Sequence, residues 1–297
     1  MRNFSLLAVP AWEPGRGGGH LIRQTELVRE LRKKGACAWL YLPQAALSAA
    51  REGGLSGGPP FPGLAELLID EAGLERGPFS LIVLDRFKTP PGEWKRWSAL
   101  GPTAALDEGG RREEADFLID LLPAPPGRQG PNLSAPWLLP LPRRRRPSFA
   151  PPPDGTGKIR ILISFGAEDR AGLSVPAALA LARSGLPSLD LTVVFGPLRR
   201  APLLSAERAA LERAGVRVIE ALRGEGGAAG SAANSAAINA DALPLRETLA
   251  DYDLVITHFG LTAFEALHAR VPALLVSPTA RHERLARHAG LLSAGTG

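Results

Sequence analysis

The stretch that most constrains the fold of this chain is DLVITHFGLTAFEALHARVPALLVSP, residues Asp253–Pro278. Leu254–Thr257 is an apolar run too short for a helix, and Ala273–Val276 is a second such run, so both are predicted to be buried strands. The segment between them, Leu261–Ala269, carries apolar side chains at helical spacing. Because parallel neighbours need a crossover connection of this kind, the segment predicts a parallel α/β sheet.

The loop before this helix is expected at the carboxyl edge of the sheet, where α/β proteins bind ligands. Gly260 lets the backbone approach a ligand, and the helix N-terminus that follows offers free N–H groups, so the loop predicts a phosphate site. Glu265 has two interpretations. Its carboxylate could accept hydrogen bonds from the hydroxyls of a ribose, but Thr262-x-x-Glu265 also matches a capping box, in which Glu265 only satisfies backbone N–H groups.

A second strand–loop–helix–strand unit is predicted at the start of the chain. Phe4–Val9 is its first strand and Ala36–Leu42 its last, and the helix between them ends at Gly35. Three consecutive glycines precede the helix and predict a close approach of the backbone to a substrate; they are Gly17, Gly18 and Gly19.

His20 follows these glycines at the mouth of the predicted helix, and Arg23 follows almost one turn later. The loop lacks the third glycine of a dinucleotide fingerprint and the lysine of a P-loop. His20 is therefore either a functional side chain at the edge of the sheet or a helix-entry residue with no chemical role. In the functional interpretation, a neutral imidazole can accept a proton near pH 7, as a general base does.

Two further predicted strands each end at a carboxylate. Leu81–Leu84 is followed by Asp85, and Thr103–Leu106 is followed by Asp107. Side chains just past strand ends are candidates for a binding site at the carboxyl edge. Aspartate is also common in such turns because it bonds to nearby backbone, so the pattern leaves both interpretations open.

Length and composition indicate two domains of a protein without disulfides or membrane spans. The chain has 297 residues, 45% of them hydrophobic, and a single cysteine, Cys37, which fits a reducing compartment. The N-terminal apolar run is too short for a signal peptide, and no stretch approaches the roughly 18 apolar residues of a membrane span, so we expect a cytoplasmic protein. The net charge of +5 suits an anionic ligand or peripheral contact with a membrane surface.

The middle and second half complete the predicted organisation. Residues 1–142 form one α/β domain, residues 143–158 a linker and residues 159–297 a second domain with doubly wound β/α alternation. Arg143–Arg146 could contact nucleic acid or anionic lipid, but no aromatic interleaving accompanies them, so a solvated linker and no nucleic-acid partner are predicted. Gly224–Ala240 has little to bury and is expected to be a flexible, dispensable insertion.

The histidines near the C-terminus do not predict a metal site. His282 and His288 are six residues apart, which separates their rings by about 240° around a helix, whereas a shared metal needs a separation of four. No metal and no cofactor are therefore expected.

The two glycine-containing loops together resemble those of GT-B nucleotide-sugar enzymes. GGGHLIRQTELVRELRKKG is similar to the N-terminal loop and helix of the lipid-linked N-acetylglucosamine transferase of peptidoglycan synthesis, in glycosyltransferase family 28. The GxGHxxR form, SFGAED and the step from Gly260 to Glu265 resemble the UDP-sugar hydrolase of pseudaminic acid synthesis. The block TAALDEGGRREEADFLID is similar to the aspartate-containing segment of that hydrolase.

The resemblance implies two Rossmann-like domains and a UDP-activated amino sugar as substrate, in cell-envelope or surface glycan synthesis. His20 would be the base, while the diphosphate would face Gly260, Leu261 and Thr262 and the ribose would face Glu265. The implied substrate-binding residues are Gly17, Gly18, Gly19, Arg23, Asp107 and Gly166. The acceptor would be a glycan or lipid-linked hydroxyl in a transferase or water in a hydrolase, and a non-catalytic nucleotide-sugar binder is the third alternative.

The chain departs from both relatives near its C-terminus. Arg281, His282 and Glu283 stand where the relatives have amide side chains, so the pattern does not predict which sugar is bound. The sequence ends one predicted helix after Val276, so we expect the last strand and the helix after it to be missing and the C-terminal domain to be shortened.

Overall fold

The computed structural model describes residues 4–12, 19–44, 64–123, 130–136, 139, 141–148, 157–196, 203–220 and 245–297. The chain divides into two compact units, with the boundary between Leu139 and Pro140, and we call them unit 1 and unit 2. Gly17, Gly18 and the predicted insertion Gly224–Ala240 lie outside the described residues.

Unit 1 is built on a sheet of seven parallel strands in the order β3-β2-β1-β4-β5-β6-β7. The strands are β1 (Ser5–Pro10), β2 (Cys37–Tyr41), β3 (Leu68–Ile69), β4 (Leu81–Asp85), β5 (Thr103–Leu106), β6 (Phe117–Asp120) and β7 (Leu133–Ser134). They are connected by helices α1 (Gly19–Lys33), α2 (Leu64–Leu67) and α3 (Pro91–Ser98) and by 3-10 turns at Ala72–Arg76 and Arg112–Glu114.

The strand order of unit 1 reverses at β1, which has β2 on one side and β4 on the other. A crevice forms at such a switch point, because the connections after the two central strands leave toward opposite faces of the sheet. Both central strands are apolar along most of their length, as expected of parallel strands covered on both faces. Leu7 and Ile82 are fully buried, and so is Asp85 at the carboxyl end of β4.

Unit 2 has six parallel strands in the order β10-β9-β8-β11-β12-β13. The strands are β8 (Ile159–Ile163), β9 (Leu189–Phe195), β10 (Arg217–Glu220), β11 (Leu254–Thr257), β12 (Ala273–Ser277) and β13 (Ser293–Thr296). The connections include α4 (Ser174–Ala182), α5 (Ser205–Arg213), α6 (Leu245–Thr248) with a 3-10 turn at Leu249–Asp251, α7 (Leu261–His268) and α8 (Ala280–His288). The switch point lies between β8 and β11, and the two doubly wound sheets confirm the predicted fold class.

The prediction that the second domain lacks its final strand is wrong. Ser293–Thr296 form β13, which pairs in parallel with β12, and α8 connects the two strands. The strand has the sequence SAGT, so its small side chains gave neither the apolar run nor the alternation that predicts a strand.

The arginine run Arg143–Arg146, predicted as a solvated linker, has exposed side chains at its first three positions and makes contacts within unit 2. The Nε atom of Arg145 donates to the backbone oxygen of His268 at 2.8 Å, and Arg146 pairs with Asp253 at 3.1 Å. Arg146 also retains only 15% of its side-chain exposure. These partners lie more than 100 residues further along the chain, where local sequence patterns do not reveal them.

The helices are short. The longest that the structure describes is α1, with 15 residues. Across the described ranges no helix combines the length and the apolar character needed to cross a bilayer.

Candidate functional site

The switch point of unit 1 gathers polar side chains from α1 onto the end of β4. His20, Arg23 and Gln24 are three and four residues apart, so a helix places them on one face. That face meets Asp85, the last residue of β4. Residues 65 positions apart in the sequence therefore share one site because β1 and β4 are neighbours in the sheet.

Asp85 is the centre of this cluster and accepts four hydrogen bonds. The Nδ1 atom of His20 lies 2.6 Å from its Oδ1 atom, and the Nε2 atom of Gln24 donates to its Oδ2 atom at 3.0 Å. Arg23 donates to both oxygens, through Nε and Nη2. The side chain of Asp85 is fully buried, whereas 19% of the His20 side chain remains exposed.

Asp107 holds the other end of the Arg23 guanidinium. Its Oδ2 atom lies 3.0 Å from Nη1 of Arg23, and its Oδ1 atom accepts from the backbone N–H groups of Leu121 at 2.7 Å and Leu122 at 2.8 Å. Asp107 has a φ of 50°, in the left-handed region that non-glycine residues rarely occupy. Such strained residues persist only where surrounding contacts hold them, as these bonds do here.

The charges of the cluster support one another. Burial alone would raise the pKa of the Asp85 carboxyl, but the Arg23 guanidinium and His20 outweigh it and hold that pKa below its usual range. Burial lowers the pKa of Arg23, yet the two carboxylates outweigh burial and raise it, so Arg23 stays charged. Burial raises the pKa of Asp107 above its ordinary value, although Arg23 acts against it.

This arrangement equips His20 to act as a base. An ionised Asp85 can only accept, so the bond at Nδ1 requires a proton on that nitrogen and leaves Nε2 of the neutral ring with its lone pair. Arg23 and Asp107, predicted as substrate-binding residues, are 8% and 7% exposed and bonded to each other. Their contact with a substrate remains a prediction.

The switch point of unit 2 is organised around His258, which directly follows β11. Its Nε2 atom lies 3.1 Å from the backbone oxygen of Phe165 after β8, and its Nδ1 atom lies 2.9 Å from that of Phe259. Two of the predicted site glycines flank the ring. A Cβ atom on Gly166 would lie 3.4 Å from Nε2, and one on Gly260 would lie 3.2 Å from Cε1. His258 thus joins the loops after β8 and β11.

Helix α7 begins at this edge of the sheet, and no side chain of the described residues is seen to cap its first N–H groups. Its N-cap is Gly260, with no side-chain capping bond, so Leu261 and Thr262 lie in its first turn. By contrast, Asp169 accepts from Leu173 and Ser174 at the start of α4, and Thr279 caps α8.

The capping-box interpretation of Glu265 is wrong. A capping box needs Thr262 as the N-cap residue, whereas the N-cap of α7 is Gly260 and Thr262 is inside the helix. Glu265 is 8% exposed and lies in the second turn of α7. The interpretation as a ribose ligand remains a prediction.

His282 lies in the first turn of α8 beside His258. The ring centroids are 5.8 Å apart, and Nδ1 of His282 lies 2.7 Å from the hydroxyl oxygen of Thr279. Burial, with smaller contributions from His258 and Arg281, lowers the pKa of His282 to about 4, so the ring is neutral near pH 7. Within the ranges that the structure describes, no three His, Cys, Asp or Glu side chains are grouped to hold a metal ion.

Sequence reasoning missed two members of these clusters. Gln24 could have been found from its helical spacing of four to His20, because both must lie on the same face of α1. His258 directly follows a predicted strand, which is a signal of the kind that identified Asp85 and Asp107.

Comparison with known proteins supports the fold. No protein-family model and no curated protein matches the chain. The spinosyn rhamnosyltransferase SpnG aligns with 99% of this chain and 86% of its own, at 16% identity and a TM-score of 0.55. The glycotransferase of kitacinnamycin aligns with 99% of this chain and 87% of its own, at 14% identity and a TM-score of 0.53. SpnG has also been solved in complex with thymidine diphosphate.

At these identities the likeness shows the fold alone. That fold is the pair of parallel-sheet α/β domains of GT-B glycosyltransferases, and it confirms the architecture that the sequence motifs implied. The two families named from those motifs remain predictions.

Proposed function

We propose that this protein is a glycosyltransferase acting on a nucleotide-activated sugar, with His20 as its general base. The observation that carries the proposal is the buried Asp85 carboxylate at the switch point of unit 1, bonded to Nδ1 of His20 at 2.6 Å. A buried carboxylate that orients an imidazole leaves the other ring nitrogen to take a proton.

The reaction is displacement at the anomeric carbon. The Nε2 atom of His20 takes the proton of an acceptor hydroxyl as its oxygen forms the new bond to that carbon. The bond from the carbon to the diphosphate oxygen breaks, and the nucleoside diphosphate leaves with the electron pair. General base catalysis of this kind contributes typically about 10²–10⁴-fold to the rate.

Unit 2 is proposed to hold the nucleotide. The free N–H groups of Leu261 and Thr262 and the positive end of the α7 dipole suit a diphosphate and stabilise the charge that develops on it as it leaves. Gly260 and Gly166 keep the backbone beside the His258 ring free of side chains. Glu265 is proposed to accept hydrogen bonds from the ribose hydroxyls.

We propose UDP as the nucleotide and an amino sugar as the transferred group, on the resemblance of the two loops. Cell-envelope or surface glycan synthesis is the corresponding proposal for the biological role. Thymidine diphosphate is the second nucleotide to be tested, because a solved structure of SpnG contains it.

The direct test is release of nucleoside diphosphate from UDP-N-acetylglucosamine, UDP-glucose and a thymidine diphosphate sugar, each with and without a panel of hydroxyl acceptors. Release that depends on an acceptor supports the transferase. Equal release in water alone identifies a hydrolase, and calorimetric binding without release identifies a nucleotide-sugar binder.

The nucleotide site is tested with Glu265→Gln, which keeps the shape of the side chain and removes its charge. Charge-assisted bonds to hydroxyls weaken, so we expect UDP affinity to fall about tenfold, or about 1.4 kcal/mol, by calorimetry. Glu247→Gln is the control, because Glu247 is 56% exposed on α6 of the same unit. Equal affinities of the two variants would remove Glu265 from the site.

A further inference from the structure

The guanidinium of Arg23 joins two buried carboxylates in unit 1. It donates to both oxygens of Asp85 and, through Nη1, to Asp107 at 3.0 Å. Its Nη2 atom also lies 3.4 Å from Nδ1 of His20. Every charge in this group therefore lies within one chain of contacts that begins at the proposed base.

The charge of this group depends on one proton. With both carboxylates ionised, the charges of Asp85, Asp107, Arg23 and His20 sum to −1 while His20 is neutral and to zero once it is protonated. Opposite charges at these distances are strongly coupled, because burial weakens the screening by water.

Among the described residues, the other buried charges close to these elements are paired with an opposite charge or bonded to the backbone. Arg86, after Asp85 on the same strand end, pairs with Glu93 of α3 at 3.1 Å, and Arg112 pairs with Asp120 at 2.7 Å. The Glu108 carboxylate, next to Asp107, accepts from Thr89 and from backbone N–H groups after β5.

We infer that Arg23 and Asp107 form a charge-setting pair that fixes how readily His20 takes and releases its proton. Arg23 offsets part of the negative charge that Asp85 presents to the imidazole, and Asp107 offsets part of the positive charge of Arg23. Both are positioning residues, since neither touches the reacting atoms. The inference rests on the proposed role of His20 as the base.

The backbone around Asp107 supports this role. Asp107 lies in the strained left-handed region, and two backbone N–H groups hold the carboxylate oxygen that does not face Arg23 in place. The strain and the two bonds together fix the carboxylate against Arg23. A carboxylate needed only to fill the turn would not require the contact with the guanidinium.

The experiment is an NMR titration of the His20 ring in the unliganded full-length protein. Arg23→Gln leaves two carboxylates without their shared cation, which favours protonation, so the titration midpoint of His20 should move to higher pH by roughly one unit. Asp107→Asn leaves the Arg23–Asp85 pair intact and removes one negative charge, so the midpoint should move to lower pH.

Shifts of the His20 midpoint in opposite directions distinguish charge setting from a structural role. Loosened packing would shift the midpoint in the same direction in both variants, or in neither. Glu30→Gln is the control, since it removes an exposed carboxylate near the last turn of α1 and should leave the His20 midpoint unchanged. If Arg23→Gln does not fold, Asp107→Asn decides alone. An unchanged or raised midpoint in that variant overturns the inference.

The titration needs no substrate, so it stands apart from the proposed function. If the His20 midpoints shift in opposite directions but the protein turns over no nucleotide sugar, the charge-setting pair is supported and the proposed enzymatic function is rejected. In an active enzyme the acid limb of the pH–turnover profile should move in the same direction as the midpoint of each variant. If the midpoints do not shift but the protein turns over a nucleotide sugar, the charge-setting pair is rejected and the proposed function is supported.

Discussion

The Nδ1 atom of His20 and the Oδ1 atom of Asp85 lie 2.6 Å apart, although the two residues are separated by 65 positions in the sequence. The contact exists because β1 and β4 are neighbours, which brings the residues after β1 and the last residue of β4 to the same edge of the sheet. The contact fixes the orientation of the His20 ring, which a histidine that only begins a helix would not need.

Asp85→Asn should weaken both turnover and the folding of unit 1. The variant leaves Arg23 with Asp107 as its remaining partner, and breaking a buried ion pair costs about 3–5 kcal/mol of unfolding free energy. Glu30→Gln is the control, because its bond to Lys33 is 60% exposed on the Glu30 side and such surface pairs contribute about 0–1 kcal/mol. Equal losses in the two variants by chemical denaturation would contradict the account.

The same comparison has a defined pH dependence. The pKa of Asp85 is lowered in the folded state, so its contribution is present above the unfolded value of roughly 3.9 and is lost as pH falls through the folded value. The stability difference between the parent protein and Asp85→Asn should therefore narrow below about pH 4. If the difference in unfolding free energy between the two proteins stays constant down to pH 2, ionised Asp85 is not the source of that stability.

Gly260→Ala should disturb the nucleotide site without straining the backbone. Gly260 has an extended φ of 171° that any residue adopts, but its new Cβ atom would lie 3.2 Å from Cε1 of His258. The ring must move by a few tenths of an ångström to make room for the methyl group, so UDP affinity should fall. Gly92→Ala is the control, since nothing lies within 4 Å of its Cβ atom and alanine is the better helix former.

Thermal unfolding and calorimetry distinguish the two glycine variants. Gly92→Ala is expected to keep or raise the melting temperature and to leave UDP affinity unchanged. If Gly260→Ala behaves in the same way, His258 does not shape the site.

His282 should make unit 2 sensitive to mild acid. Burial lowers its folded-state pKa to about 4, below an unfolded value of roughly 6.5, so the unfolded chain binds the extra proton over this range. The stability of unit 2 should fall as pH drops from roughly 6.5 to about 4, and His282→Gln should reduce that slope. Unfolding curves with identical slopes for parent and variant would show that His282 does not contribute.

Helices and strands that local periodicity encodes could be predicted from the sequence. The segments β11, α7 and β12 follow from apolar runs and helical spacing, and the spacing of His20 and Arg23 places them together on α1. The strand order is set by long-range packing, so the sequence predicted Asp85 only as a candidate at the carboxyl edge of the sheet and did not predict its contact with α1.

The wrong predictions have the same physical origin. The start of α7 at Gly260, which removes the capping box, depends on the loop conformation around His258. The contacts of Arg145 and Arg146 were not predicted, because they are made to residues more than 100 positions away. β13 forms by pairing with β12, and its small side chains carry no local pattern that predicts a strand.

The most direct measurement of the central claim compares parent protein and His20→Ala for turnover of the nucleotide sugar and for UDP affinity. The account predicts a fall in kcat of about 10²–10⁴-fold, because a general base is lost, with little change in UDP affinity and in stability, since the ring is partly exposed and Asp85 keeps its bonds to Arg23 and Gln24. Turnover that survives unchanged in His20→Ala, or a matching loss of UDP affinity, would contradict the assignment of His20 as the base.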